Sequence, residues 1–130
     1  MMVAGIGTDI LKISRLTPET LQEGDPFFKM TYTDSETKQA KARINPLYYY
    51  ATRFAGKEAV FKALGLPPDG IHLNEIEILA REDGSPAVTL HGRLKRLAEK
   101  RGISHILLSL SYDTDYAVAY AIAVKNEGNM

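Results

Sequence analysis

With 130 residues, 45% of them hydrophobic and 25% charged, the chain has the make-up of a folded domain with a real core, which excludes a disordered or fibrous segment. Sixteen basic and sixteen acidic side chains cancel, so no overall field draws in nucleic acid or an anionic membrane, and any charge attraction must be local. Cysteine is absent and no stretch nears the ~20 apolar residues of a membrane span, so the expected setting is the reducing cytoplasm, with one domain over residues 1–130.

Residues 2 to 9 read as a first strand ending in Gly5-Ile6-Gly7-Thr8-Asp9. The spacing of Ile10, Ile13 and Leu16 predicts a short helix after it, interrupted or restarted at Thr17-Pro18, where threonine is a fair N-cap and proline suits a first turn. Thr20 to Pro26 is loop-like. Thr33-Asp34-Ser35-Glu36 has the form of a capping box and opens a second helix, closed before Asn45-Pro46. The longest helix runs from about Leu47 to Leu64, stopped by Gly65 and Pro67-Pro68. Two short strands, around Glu75 to Ala80 and Ala87 to His91, turn at Asp83-Gly84, and Gly92 to Lys100 forms another helix. A hairpin closes the chain, His105 to Tyr112 and Tyr116 to Val124, turned at Asp113-Thr114-Asp115.

The last strand is apolar on both faces. Tyr116, Val118, Tyr120, Ile122 and Val124 point one way and Ala117, Ala119, Ala121 and Ala123 the other, so the strand is either central and doubly covered or part of a subunit interface. On the strand before it, Ser109, Ser111 and Asp113 share one face and Ile106, Leu108, Leu110 and Tyr112 the other. The polar row suits a site wall or a solvated face.

Glu58 falls within the apolar sector of the long helix, among Ala51, Phe54 and Phe61. Lys62 stands at the i+4 position that suits an ordinary helix ion pair. Asp9 ends an apolar strand just after two glycines, where backbone can approach closely. Two carboxylates with a lysine nearby make a magnesium site, because magnesium takes one or two protein carboxylates and leaves its other positions to water and substrate phosphate. Gly5-x-Gly7 lacks the third glycine of a dinucleotide fingerprint and the spacing of a P-loop.

Three segments in this order, Gly5-Ile6-Gly7-Thr8-Asp9-Ile10, Arg53-Phe54-Ala55-Gly56-Lys57-Glu58-Ala59-Val60-Phe61-Lys62-Ala63-Leu64-Gly65 and Gly84-Ser85-Pro86, resemble the holo-acyl-carrier-protein synthases over nearly the whole chain. The resemblance implies an α+β fold of the 4′-phosphopantetheinyl transferase type, with a small antiparallel sheet packed against a long helix. It also implies a homotrimer with coenzyme A in clefts between subunits. The implied activity moves the 4′-phosphopantetheine arm of coenzyme A onto a serine of an apo-acyl carrier protein and releases adenosine 3′,5′-bisphosphate. Asp9 and Glu58 would hold Mg2+ against the pyrophosphate, and Lys62 would neutralise phosphate charge. Arg53, Lys57, Gly65, Pro86, Ser109 and Ser111 would contact the coenzyme, and Arg15 and Lys12 would meet an acidic helix of the carrier.

Many members of that family have Ser-His where this chain has Ser111-Tyr112, followed by Asp113. Tyrosine, with an ordinary pKa of about 10, is a poor base at neutral pH. His105 lies seven residues from Tyr112, roughly 23 Å along a strand, and cannot substitute for it. Glu58, Asp113 or a metal-bound hydroxide is left to take the serine proton. Two other activities fit parts of the pattern: a non-catalytic coenzyme A or carrier-binding module, and a magnesium-dependent nucleotide phosphohydrolase.

Overall fold

The computed structural model describes residues 1–67, 70 and 72–126. Its strands are β1 (Met2–Lys12), β2 (Ile76–Ala80), β3 (Pro86–Leu90), β4 (Ile103–Tyr112) and β5 (Tyr116–Lys125). Its α-helices are α1 (Pro26–Thr31), α2 (Asp34–Lys41), α3 (Pro46–Leu64) and α4 (Gly92–Lys100). The architecture is α+β. One antiparallel sheet has the order β1-β5-β4, a separate hairpin pairs β2 with β3, and α3 packs against β1, β5, β4 and β2.

α3 lies close to the sheet because the residues beneath it are small. Ala117, Ala119, Ala121 and Ala123 of β5 are buried against it. On β1, a Cβ added at Gly5 would lie 2.1 Å from the Ala63 carbonyl oxygen, and one at Gly7 would lie 2.0 Å from that of Ala59. A helix surface can sit this near a strand only where the strand has no side chains. Ala55, Ala59, Val60, Ala63 and Leu64 fill the contact from the helix side. Ile76, Ile78 and Leu94 close the core from the hairpin and α4, each aliphatic side chain contributing about 1.5–3 kcal/mol through burial.

The helix expected after the first strand is not formed. β1 runs on to Lys12 because Ile10, Leu11 and Lys12 continue the ladder to Val118, Ala117 and Tyr116 of β5, and a 3-10 turn, Ile13–Arg15, follows. Thr17-Pro18 starts no helix, since the Thr17 and Thr20 side chains bond each other and the local backbone in a turn. The loop expected from Thr20 to Pro26 instead leads into α1, whose N-cap Asp25 accepts from the Phe27 amide at 2.8 Å, with Pro26 in the first turn. The capping box of α2 is present with both of its bonds, Thr33 N to Glu36 Oε1 at 2.9 Å and Glu36 N to Thr33 Oγ1 at 3.2 Å. Gly65 ends α3 in the left-handed conformation, φ 64°, and Pro68 lies outside the described residues.

Candidate active site

β1 alternates, so Gly5, Gly7, Asp9 and Leu11 face α3 while Ile6, Thr8, Ile10 and Lys12 face away. The glycine contacts thus bring Asp9 beside the helix turn that carries Glu58 and Lys62. Lys62 Nζ donates to Asp9 Oδ1 at 3.2 Å and to the Thr8 carbonyl oxygen at 3.0 Å. The Glu58–Lys62 ion pair allowed by helix spacing gives way to this bond across to β1.

Glu58 is half-buried. Burial, then the negative charge of Asp9, raises its pKa above the ordinary glutamate value, with Lys62 opposing the rise. Asp9, Glu58, Arg15, Thr20, Leu11, Leu16, Phe27 and Phe54 line a cleft of about 460 Å³. Its apolar wall of Phe27, Phe54, Leu11 and Leu16 was not among the expected site residues. The Asp25-Pro26 start signal for α1 is the feature that would have placed Phe27 there.

Two mutually repelling carboxylates at a cleft want a cation, and Lys62 engages only Asp9 directly. No cluster of three or more histidine, cysteine or acidic side chains suited to a metal occurs among the described residues. A donor set of two carboxylates fits magnesium, which keeps most of its positions for water and phosphate, better than zinc or calcium.

Several expected site residues are placed elsewhere. Lys57 cannot meet a coenzyme phosphate: it is 0% exposed, and its ammonium pairs with Glu36 at 2.8 Å and donates to the carbonyl oxygens of Leu73 and Ile76. Asp113 lies in the turn between β4 and β5. Its carboxylate accepts from the amides of Tyr116 and Asp115, both at 2.8 Å, which hold its pKa below the ordinary value and fix it in the hairpin turn. Arg53 points toward β2 rather than β1. Its guanidinium lies 3.9 Å from the Tyr49 ring centroid and Nε donates to the Ile78 carbonyl oxygen at 3.4 Å.

Ser109 and Ser111 pair in register with Tyr120 and Val118, on the sheet face opposite Asp9. Lys12 lies on that same outer face, so of the two carrier-binding candidates only Arg15 lines the cleft. Pro86 starts β3, and Gly65 packs beside the Arg101 guanidinium. Tyr112 takes the helix side of β4 and stacks on Tyr48 of α3, ring centroids 4.9 Å apart.

The family model of the 4′-phosphopantetheinyl transferase superfamily matches residues 5–121, which include this whole constellation. A holo-[acyl-carrier-protein] synthase of Desulforudis audaxviator is 42% identical over 123 residues, 95% of this chain and 94% of that protein. The crystal structure of the holo-[acyl-carrier-protein] synthase of Neisseria meningitidis superposes with TM-score 0.84 at 33% identity, covering 95% of this chain and all of the other, 100%. The Helicobacter pylori synthase, solved in complex with coenzyme A, gives TM-score 0.76 at 26% identity over 92% of this chain and 99% of its own. The chain belongs to the 4′-phosphopantetheinyl transferase superfamily.

Proposed function

We infer that the chain is a holo-acyl-carrier-protein synthase, moving 4′-phosphopantetheine from coenzyme A to a serine of an apo-acyl carrier protein. The observation that carries this is the placing of Asp9 and Glu58 on one cleft, with Lys62 bonded to Asp9, in a chain matched over 95% of its length by a synthase of that name. In the reaction the serine oxygen bonds to the phosphorus that bears the pantetheine arm. The bond from that phosphorus to the bridging oxygen breaks, and adenosine 3′,5′-bisphosphate leaves with the electron pair.

Asp9 and Glu58 are the residues that would hold Mg2+, which supplies charge stabilisation to the pyrophosphate when bound. Lys62 adds a fixed positive charge where phosphoryl oxygens gather negative charge, the kind of stabilisation that dominates phosphoryl transfer. With Asp113 held in its turn, Glu58 takes the serine proton on a carboxylate oxygen. Arg15, at the mouth of the same cleft, meets an acidic face of the carrier.

The active assembly is a homotrimer in the cytoplasm, with coenzyme A held between subunits. Arg53, Pro86, Ser109 and Ser111 do not gather around Asp9 within one chain, so any of them that contacts the same coenzyme does so from a neighbouring copy. Release of adenosine 3′,5′-bisphosphate, measured with and without apo-carrier, tests the function. A transferase releases it only with carrier present, a phosphohydrolase releases it regardless, and a binding module never does. Either of the last two results contradicts the assignment.

A further inference from the structure

The inner edge of β2 is closed by side chains rather than by a strand. β2 pairs with β3 along one edge only. Along the other, Lys57 Nζ donates to Ile76 O, Glu36 Oε2 accepts from Ile78 N at 2.7 Å, and Arg53 Nε donates to Ile78 O at 3.4 Å. Gln39 accepts from Ala80 N at 2.8 Å and donates to Ala80 O at 3.1 Å. A strand edge turned into the protein loses water at every amide and carbonyl, and these four side chains restore the bonds.

Glu36 and Lys57 stand at the centre of this row, both 0% exposed. Glu36 Oε1 takes the Thr33 amide at 2.9 Å as well as the Lys57 ammonium, so one carboxylate ties the start of α2, the middle of α3 and β2 together. Burial lowers the pKa of Lys57, and the Glu36 carboxylate opposes that shift. A buried pair of this kind adds little stability over apolar side chains, but each charge tolerates few positions. Lys57 and Glu58 are consecutive, about 100° apart around α3. The rotation that seats Lys57 between Glu36 and β2 therefore also sets where Glu58 points.

Resting on the magnesium reading above, we propose that Glu36 and Lys57 are positioning residues: their pairing along the β2 edge fixes the rotation of α3 and holds Glu58 toward Asp9. Neither touches substrate. The test is binding of Mn2+ alone, followed by paramagnetic resonance on the full chain. Wild type is compared with Asp9→Ala, Glu36→Gln and the double variant Glu36→Gln/Lys57→Met. The glutamine keeps the shape and one acceptor oxygen, which can serve the Thr33 or the Ile78 amide but not both, and the double variant also removes the cation.

Mn2+ affinity is expected to fall roughly 10–100-fold in the double variant, the effect typical of losing a group that orients a metal ligand. The melting temperature is expected to fall, because Lys57→Met leaves the Leu73 and Ile76 carbonyl oxygens without their donor, while the loss of both charges together avoids an unpaired buried ion and lets the variant fold. The magnesium concentration for half-maximal transfer should rise in parallel, with an unchanged KM for the carrier. Wild-type Mn2+ affinity in the folded variants overturns the proposal. So does failure of both variants to fold, which would make the pair a stability element only. Equal Mn2+ binding by wild type and Asp9→Ala would instead sink the metal reading and this proposal with it, whereas loss confined to Asp9→Ala sinks the positioning role alone.

Discussion

Gly7 has no room for a methyl group: the Cβ of an alanine there would lie 2.0 Å from the Ala59 carbonyl oxygen and 2.7 Å from the Ala63 amide nitrogen. Since both neighbours are helix backbone, α3 as a whole must move, and Lys62 and Glu58 move with it. Gly7→Ala is expected to cost about 1–3 kcal/mol, in the range of overpacked cores, and to cut transfer far more than that loss of stability explains. Urea unfolding and turnover on the same preparation check this, and an active, equally stable variant would refute the close-approach account. Glu58 gives the opposite sign. Burial and Asp9 raise its pKa, so the folded protein binds that proton more tightly than the unfolded chain does. The protonated form's stability is present below the unfolded pKa and lost as pH rises through the folded one, leaving an ionised Glu58 as a cost at pH 7. Without divalent cation, Glu58→Gln should therefore be more stable than wild type by a few tenths of a kcal/mol, after allowing for its partial exposure. Added magnesium should erase or reverse the difference in thermal unfolding. A lower melting temperature for the variant without metal would contradict the strained-carboxylate picture.

At the scale of elements, periodicity and capping chemistry made most of the fold legible. The Thr33/Glu36 box, Gly65 as a left-handed cap, α4 and the closing hairpin all stand where local signals put them. β1 was read too short because Ile10, Ile13 and Leu16 carry a helical spacing that three further ladder pairs to β5 override. Asp9, Glu58 and Lys62 were legible as a magnesium site from residue types and helix spacing, and the order of the family segments strengthened that reading; that Lys62 bonds Asp9 rather than Glu58 depends on the Gly5 and Gly7 contacts, which no local pattern reveals. Lys57 was misread because a lysine in a charged helical segment looks like a surface cation. Its burial depends on Glu36, twenty-one positions away, whose capping role already accounted for it locally. Tyr112 was expected to share the apolar face of its strand with Leu108 and Leu110; that face turns to α3, and Tyr112 stacks on Tyr48. Tyr112→Phe keeps the ring and its stack on Tyr48 and should hold kcat within about twofold with coenzyme A and carrier saturating, since the ring packs and its hydroxyl takes no part in the proposed chemistry. A large loss of rate in the folded variant would place the hydroxyl in the chemistry.

At the scale of the whole molecule, one sheet face is apolar and no helix among the described residues covers it. α3 takes the alanine face of β5, while the other face aligns Ile6, Ile122 and Leu107 in one row and Ile10, Val118 and Ser111 in another, with Tyr120 between them. Ile6 is 74% exposed, Ile10 66% and Tyr120 62%. A contiguous apolar surface of this kind on a folded domain marks an interaction site. In the proposed homotrimer it is buried between copies, so Tyr120→Lys should drop the mass seen by light scattering at micromolar concentration from three chains to one and take transfer down with it. A wild-type protein of one-chain mass would contradict the assembly. The measurement that bears most directly on the central claim is the intact mass of an apo-acyl carrier protein after incubation with coenzyme A, magnesium and either the wild type or folded Asp9→Ala and Glu58→Ala variants. One phosphopantetheine is expected per carrier with the wild type, and a rate at least roughly 10²-fold lower with each variant. An unmodified carrier with the wild type, or variants that modify it at the wild-type rate, would contradict it.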